Sequence, residues 1–274
     1  MGAARRGPSG TRMPGRSNAR ADPAFLDRLR SLARAAAIAG GRRALEGFGG
    51  RIGSETKPDG SPVTSYDRAS ESEIRRVIRR EFPRHAILGE EGGETGTDRR
   101  VRWIVDPIDG TKSFVHGVPL FSVLVGVEVD RRPAVGVIHL PALGETVDAA
   151  VGRGCRWNGR PARVSAVDDL ADATLLTTSV RALENRGLEF RRLWRATRTQ
   201  RGWSDGYGFA LVATGRADVM IDTGLAVWDA APLLPILAEA GGRFTDWNGR
   251  ATIRGGDGIG SNGRLHDQVL ALLR

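Results

Sequence analysis

At Pro83 the apolar residues of this chain change their spacing, and that change limits the fold more than any other feature of the sequence. Before it, Leu26, Leu29, Leu32 and Ala36 recur at three to four residues through an Ala/Arg-rich segment that ends near Gly40-Gly41. After the turn Asp59-Gly60-Ser61-Pro62, Ile74, Val77 and Ile78 repeat the pattern within Thr64 to Arg80. Both segments predict amphipathic helices. Beyond Pro83 the apolar runs are short and β-rich: 86–89, 101–106, 121–129 and 134–140, the last two joined by the hairpin signal Asp130-Arg131-Arg132-Pro133. Strands are also expected at 146–151, 162–164 and 174–178, and a helix at 189–197. The last third alternates: helix 207–214, strand 219–222, helix 229–240, strand 243–246 and a terminal helix from Leu265. Antiparallel strands followed by helix–strand alternation predict a mixed α/β (α+β) chain of layered sheets and helices.

The 274 residues suffice for one large domain or two joined ones. No stretch approaches the roughly 18 consecutive apolar residues of a membrane helix, so a spanning helix is not expected and a cytoplasmic protein is. Cys155 is the only cysteine, which excludes an intrachain disulfide and a thiolate metal cluster. The net charge of +9 is carried by arginine, with lysine only at Lys57 and Lys112. Part of it lies in residues 1–22, a Gly-, Arg-, Pro- and Ser-rich segment read as a disordered tail or as the product of a start placed upstream of Met13. The other arginines are interleaved with acids and form no basic stripe with aromatics, so nucleic acid is not the expected partner.

The chemistry sits in carboxylates at strand ends and helix starts. An apolar strand runs into Asp106, Pro107 forces a turn, Asp109 points back, and Gly110 permits close backbone approach to what Thr111 opens. Glu90 and Glu91 lie between glycines after another short strand, and Asp229 follows Trp228 ahead of a helix. Two carboxylates with the intervening Ile108 carbonyl form an all-oxygen set suited to hard cations such as Mg²⁺ rather than zinc. Each piece has an ordinary reading as well: a turn, a solvated loop, and for Asp229 a helix N-cap.

Taken together and in this order, Trp103-Ile104-Val105-Asp106-Pro107-Ile108-Asp109-Gly110-Thr111 and Trp228-Asp229-Ala230-Ala231 leading to Glu239-Ala240-Gly241-Gly242 resemble the two signatures of the inositol monophosphatase family. Pro62-Val63-Thr64-x-x-Asp67 and Gly89-Glu90-Glu91 fall where that family has its other motifs, and the resemblance runs from about Pro23 to the C-terminus. It implies a layered αβαβα sandwich over 23–274, two tightly joined halves with a break near 150–170, a homodimer, and hydrolysis of a small phosphate monoester by metal-activated water with two or three Mg²⁺ ions. By position it implies Glu90, Asp106, the Ile108 carbonyl, Asp109 and Asp229 as metal ligands. Thr111 with Asp67 would activate water, with Glu91 assisting, and the Gly110 and Thr111 amides would hold the phosphate. Lys57 falls near a family lysine close to the site.

Substrate choice rests on Arg201-Gly202-Trp203-Ser204-Asp205-Gly206-Tyr207-Gly208, which looks like the histidinol-phosphatase branch. A carboxylate at Asp205 beside Ser204 suits a substrate ammonium, and Trp203 and Tyr207 offer aromatic surface for an imidazole. Asp222, seven residues before Asp229, matches the family's acidic substrate position. Asp205 also reads as the N-cap of a helix over 206–214, and the aromatics as core or interface. The alternatives are an inositol-1-phosphatase, a broad sugar phosphatase, and a non-catalytic RNA- or polymerase-binding member; intact metal ligands favour an enzyme.

Overall fold

The computed structural model describes residues 22–50, 52–58, 60, 62–185 and 190–273. The expected tail lies outside the described residues except for Asp22, whose carboxylate caps the first helix by accepting the Ala24 N–H. That helix, α1 (Pro23–Leu45), is followed by the ribbon β1 (Ser54–Thr56) and β2 (Pro62–Thr64) and by α2 (Ser65–Glu81).

Then come β3 (His85–Gly89), β4 (Gly93–Thr95), β5 (Asp98–Asp109), α3 (Thr111–Val115), β6 (Ser122–Val129), β7 (Arg132–Leu140), β8 (Glu145–Ala150), β9 (Cys155–Trp157) and β10 (Arg160–Pro161). These strands form an eight-stranded sheet in the order β10-β9-β8-β7-β6-β5-β3-β4, antiparallel except for the β3–β5 pair. The expected strand at 162–164 is absent; the chain there leaves the first sheet and crosses to the second. The β6–β7 hairpin turns through Asp130 and Arg131, both left-handed, the geometry that matches the twist of paired strands.

The second sheet is built from β11 (Thr174–Thr177), α4 (Val180–Asn185), α5 (Phe190–Ala196), β12 (Thr199–Arg201), α6 (Asp205–Ala213), β13 (Val219–Thr223), α7 (Val227–Ala230), α8 (Leu233–Glu239), β14 (Arg243–Thr245), β15 (Asp257–Ser261) and α9 (His266–Leu272). Its order is β12-β11-β13-β15-β14, with β11 parallel to both neighbours and the rest antiparallel.

Three apolar layers follow from which faces these elements must bury. α1 and α2 cover one face of the first sheet, joining Leu29, Ile74 and Ile78 to Trp103, Val123 and Val125. α6 and α8 fill the space between the sheets with Phe209, Val212, Ile236 and Leu237 against Leu124 and Ile138. α5 and α9 cover the far face of the second sheet through Phe190, Leu193 and Val269. The result is an αβαβα sandwich. β6 is buried along its whole length because both of its faces are covered, so it reads as a continuous apolar run instead of an alternation. Each fully buried Leu, Ile or Val contributes about 1.5–3 kcal/mol.

One close approach positions chemistry. Gly126 and Gly136 lie opposite each other on β6 and β7. A Cβ on Gly126 would come within 2.5 Å of the Ala231 Cβ, and one on Gly136 within 2.1 Å of the Pro232 carbonyl oxygen. The bare patch lets Ala231-Pro232 lie against the sheet. The expected helix 229–240 is therefore two helices, α7 and α8, jointed at the residues that touch the glycines.

His266 is fully buried, bonded to Ser261 Oγ at 2.8 Å and Thr245 Oγ1 at 2.9 Å, and burial pulls its pKa down to about 4. The unfolded chain binds this proton near pH 6.5 and the folded chain does not, so stability present above that pH is lost as pH falls towards 4. His266→Gln should therefore show a shallower fall of Tm between pH 6.5 and 4.5 than the wild type. Equal slopes would remove His266 from acid sensitivity.

Candidate active site

The strand β5 ends in a proline-induced irregularity: its pairing with β6 skips from Asp106 to Asp109. The skip brings both carboxylates to one edge. Asp106 Oδ1 accepts the Ile108 N–H at 3.0 Å, and Asp109 Oδ2 accepts from Ser122 Oγ at 2.5 Å and from the Gly206 N–H at 2.7 Å. Asp229 arrives from the second half of the chain. It is the third residue of α7, not its N-cap, and it accepts the N–H of Ala226, the residue before the helix, at 2.8 Å. Asp106, Asp109 and Asp229 each offer an oxygen within 4.8 Å of the others.

Such crowding, out of water, favours the protonated forms. Burial pushes Asp106 well up, with the charges of Glu90, Asp109 and Asp229 adding to it. Asp109 is pushed up by burial and by Asp205 and Asp229. Asp229 rises to about 7, again chiefly by burial, with Glu90 and Asp205 adding to it. Buried, mutually repelling carboxylates with no cationic side chain bonded to them fit a hard divalent cation among oxygen ligands.

Glu90 lines the same cavity, and its loop is held by a residue not foreseen from sequence. The buried Glu71 carboxylate accepts the N–H groups of Glu91 at 2.8 Å and Gly92 at 3.0 Å, and is itself bonded to Arg75 at 2.7 Å. A helical Glu-x-x-x-Arg pair is the one hint the sequence carried. Lys57 donates to Glu90 Oε1 at 2.6 Å and to Glu91 Oε1 at 2.5 Å, and those bonds hold it protonated against the cost of burial.

Asp67 and Thr111 do not bond to each other here. Asp67 accepts from the Thr64 N–H at 2.7 Å and Thr64 Oγ1 at 2.6 Å as part of the α2 capping box, and burial raises its pKa to about 6. Thr111 Oγ1 donates to the Ile108 carbonyl at 3.0 Å. Gly110 precedes α3 with φ +78°, a conformation natural to glycine.

The cavity holds about 590 Å³. Asp106, Ile108, Asp109, Gly110 and Thr111 line it together with Ser204, Asp205, Asp222 and Asp229. Asp205 is the first residue of α6, with Ser204 as N-cap, and its φ of +56° is left-handed. Its carboxylate accepts from Ser204 Oγ at 2.8 Å and rests over Gly110: a Cβ there would be 3.0 Å from Asp205 Oδ2. Asp222 accepts from Thr178 Oγ1 at 2.6 Å and is raised by burial to about 7. Trp203 is 40% exposed and Tyr207 packs into the core between the sheets, so neither lines the cavity. Of the aromatic residues that line it, Trp228 is half-buried, whereas Phe209 is buried in the core between the sheets. Trp228 stood beside Asp229 in a motif already singled out. Phe209 carried no signal apart from the core pattern of α6.

The sequence profile of the inositol monophosphatase family matches residues 26–274. This chain belongs to that family. It is 41% identical to the histidinol-phosphatase of Chlorobaculum parvum over 238 residues, 85% of this chain and 88% of that one. Against the histidinol-phosphatase of Mycobacterium tuberculosis it is 41% identical over 230 residues, 80% and 87% of the two chains. The crystal structure of the extragenic suppressor protein SuhB from Bartonella henselae superposes with a TM-score of 0.85 at 29% identity, covering 90% of this chain and 98% of that one. As a member of the family the chain is a phosphatase acting on small phosphate monoesters, and the family is metal-dependent. No helix among the described residues is long and apolar enough to cross a membrane.

Gly206 is the backbone donor that holds Asp109. A Cβ there would sit 2.4 Å from Ser122 Oγ and 2.7 Å from Asp109 Oδ2. Gly206→Ala should cost about 1–3 kcal/mol of stability by overpacking and weaken divalent-cation binding at least tenfold, read by titration calorimetry. Wild-type affinity in the folded variant would show that the Gly206 contact does not position Asp109.

Proposed function

We propose that this protein hydrolyses L-histidinol phosphate to L-histidinol and phosphate, with Glu90, Asp106, the Ile108 carbonyl, Asp109 and Asp229 holding Mg²⁺. The position of Asp205 carries the reading. In histidinol phosphate the ammonium is three bonds from the ester oxygen, so a residue that recognises it must sit beside the phosphate site. Asp205 rests over Gly110, the first residue of the phosphate cradle. A carboxylate next to a phosphate repels it unless the substrate brings its own positive charge there. Asp222 lines the same cavity, and the half-buried Trp228 offers aromatic surface suited to an imidazole. The similarity to two histidinol-phosphatases supports the same reading.

When bound, the metal would supply charge neutralisation of the phosphoryl oxygens and a more acidic water. The chain's own residues do the rest. The Gly110 and Thr111 amides orient the phosphate, and Lys57 and Glu71 keep the loop of Glu90 and Glu91 in place. Thr111 lines the cavity, and Asp67 with Thr111 would take and pass on the water's proton. Asp67, raised to about 6, is ionised and able to accept a proton near neutral pH. Asp205 and Asp222 would hold the amine and fix which ester enters.

Phosphate release with Mg²⁺ from L-histidinol phosphate, inositol-1-phosphate, fructose-1,6-bisphosphate and adenosine-3′,5′-bisphosphate tests the substrate. A lead of a hundredfold or more in kcat/KM for histidinol phosphate, about 2.7 kcal/mol, is expected. Comparable values for all four would refute it while leaving the phosphatase intact. Asp205→Asn keeps the left-handed backbone and removes the charge. It should raise KM for histidinol phosphate at least tenfold and leave inositol-1-phosphate within about threefold, and equal effects would exclude an amine contact. Asp106→Asn should abolish turnover in a folded protein.

A further inference from the structure

Of the 41 basic side chains in this sequence, only Lys57 and Lys112 are lysines. Wherever a positive charge alone is needed, this chain uses arginine. The two exceptions are not scattered. Lys57 bonds to Glu90 and Glu91, and Lys112 lines the cavity beside Thr111. The Lys57 ammonium is committed to two carboxylates, whereas the Lys112 ammonium has no hydrogen bond or ion pair among the described residues, although its charge is felt at Asp205.

Six carboxylates line the cavity: Glu90, Asp106, Asp109, Asp205, Asp222 and Asp229. Among the described residues Lys112 is the one cationic side chain on that wall. Cations held by the metal ligands would offset four of the six charges and leave Asp205 and Asp222. A phosphate dianion entering this cavity meets that residual negative field, and Lys112, an exposed residue of the cavity wall next to Thr111 in the chain, is the lining cation that can oppose it. A lysine fits this place where an arginine does not, because an ammonium is a compact charge on a flexible stem while a guanidinium is a broad planar fork.

We propose that Lys112 is a phosphate-binding residue, its ammonium donating to an oxygen of the phosphate held by the Gly110 and Thr111 amides. The inference rests on the phosphatase reading of the site and is independent of which ester is the substrate. The contact is made with the phosphate, so it serves every monoester alike, unlike the contact assigned to Asp205.

The test is binding of inorganic phosphate to the full-length protein in the presence of Mg²⁺, by titration calorimetry, for wild type, Lys112→Met and Lys112→Arg. Lys112→Met should weaken phosphate binding about tenfold with Mg²⁺ affinity within twofold of wild type, and Lys112→Arg should recover only part. In assays, Lys112→Met should raise KM by similar factors for histidinol phosphate and inositol-1-phosphate. Unchanged phosphate affinity in Lys112→Met would overturn the proposal, as would a defect confined to the amine-bearing ester, which would place Lys112 in the service of Asp205. Full recovery by arginine would overturn the requirement for lysine. The wild-type substrate ranking decides the histidinol phosphate reading separately.

Discussion

Three carboxylates forced together out of water set the terms for the rest of this molecule. Asp106, Asp109 and Asp229 repel one another, and the chain tolerates them by giving each a backbone donor from its surroundings: Ile108 for Asp106, Gly206 for Asp109, Ala226 for Asp229. Only the first of these is local to the β5 end. The third is local to α7, but the second comes from α6, 97 residues away in the chain. The Gly206 bond that makes Asp109 bearable thus also ties α6 to the end of β5, and a change that loosens this docking would loosen the site. A divalent cation would remove the remaining repulsion, which couples metal binding to the stability of the whole sandwich.

The docking has its own steric requirement. Asp229 reaches Asp106 because Ala231-Pro232 lies flat on Gly126 and Gly136, with the Ala231 Cβ and the Pro232 carbonyl filling the space that side chains there would take. Glu239, at the other end of α8, accepts the N–H groups of Gly152 and Gly154 at 2.8 Å and ties the turn after β8 to the same helix. α8 is therefore fixed to the first sheet at both ends, and the carboxylate just ahead of it inherits that rigidity.

Much of this could be read from the sequence, because it is written in consecutive residues. A strand running into Asp-Pro-x-Asp-Gly has few ways to fold, and Trp-Asp ahead of an apolar helix has few more. The layered α/β class followed from the change of apolar spacing at Pro83. Features that depend on distant partners were not legible. The break between α7 and α8 is dictated by two glycines about a hundred positions upstream. The absence of a strand at 162–164 reflects a crossover between sheets, which apolar patterning does not register. α6 begins at Asp205 because Ser204 is its N-cap and Asp109 takes the Gly206 N–H, a partner 97 residues away. Trp203 and Tyr207 suggested an aromatic wall by proximity to Asp205 in sequence, but helical geometry turns Tyr207 into the core and leaves Trp203 outside, and the half-buried Trp228 lines the cavity instead.

On the proposed function, Asp205 adds specificity to chemistry that is common to a family. The proposed metal ligands and phosphate cradle would recognise what all monoesters share, so a preference among them must come from groups just beyond the phosphate. Asp205 stands there in a left-handed conformation that few residues other than glycine adopt freely, and Asp and Asn are among those that do. Its backbone strain and its buried charge both act against stability, and neither is repaid by a salt bridge within the described residues. A residue that is unfavourable on both counts persists where the surrounding structure and the ligand make it useful.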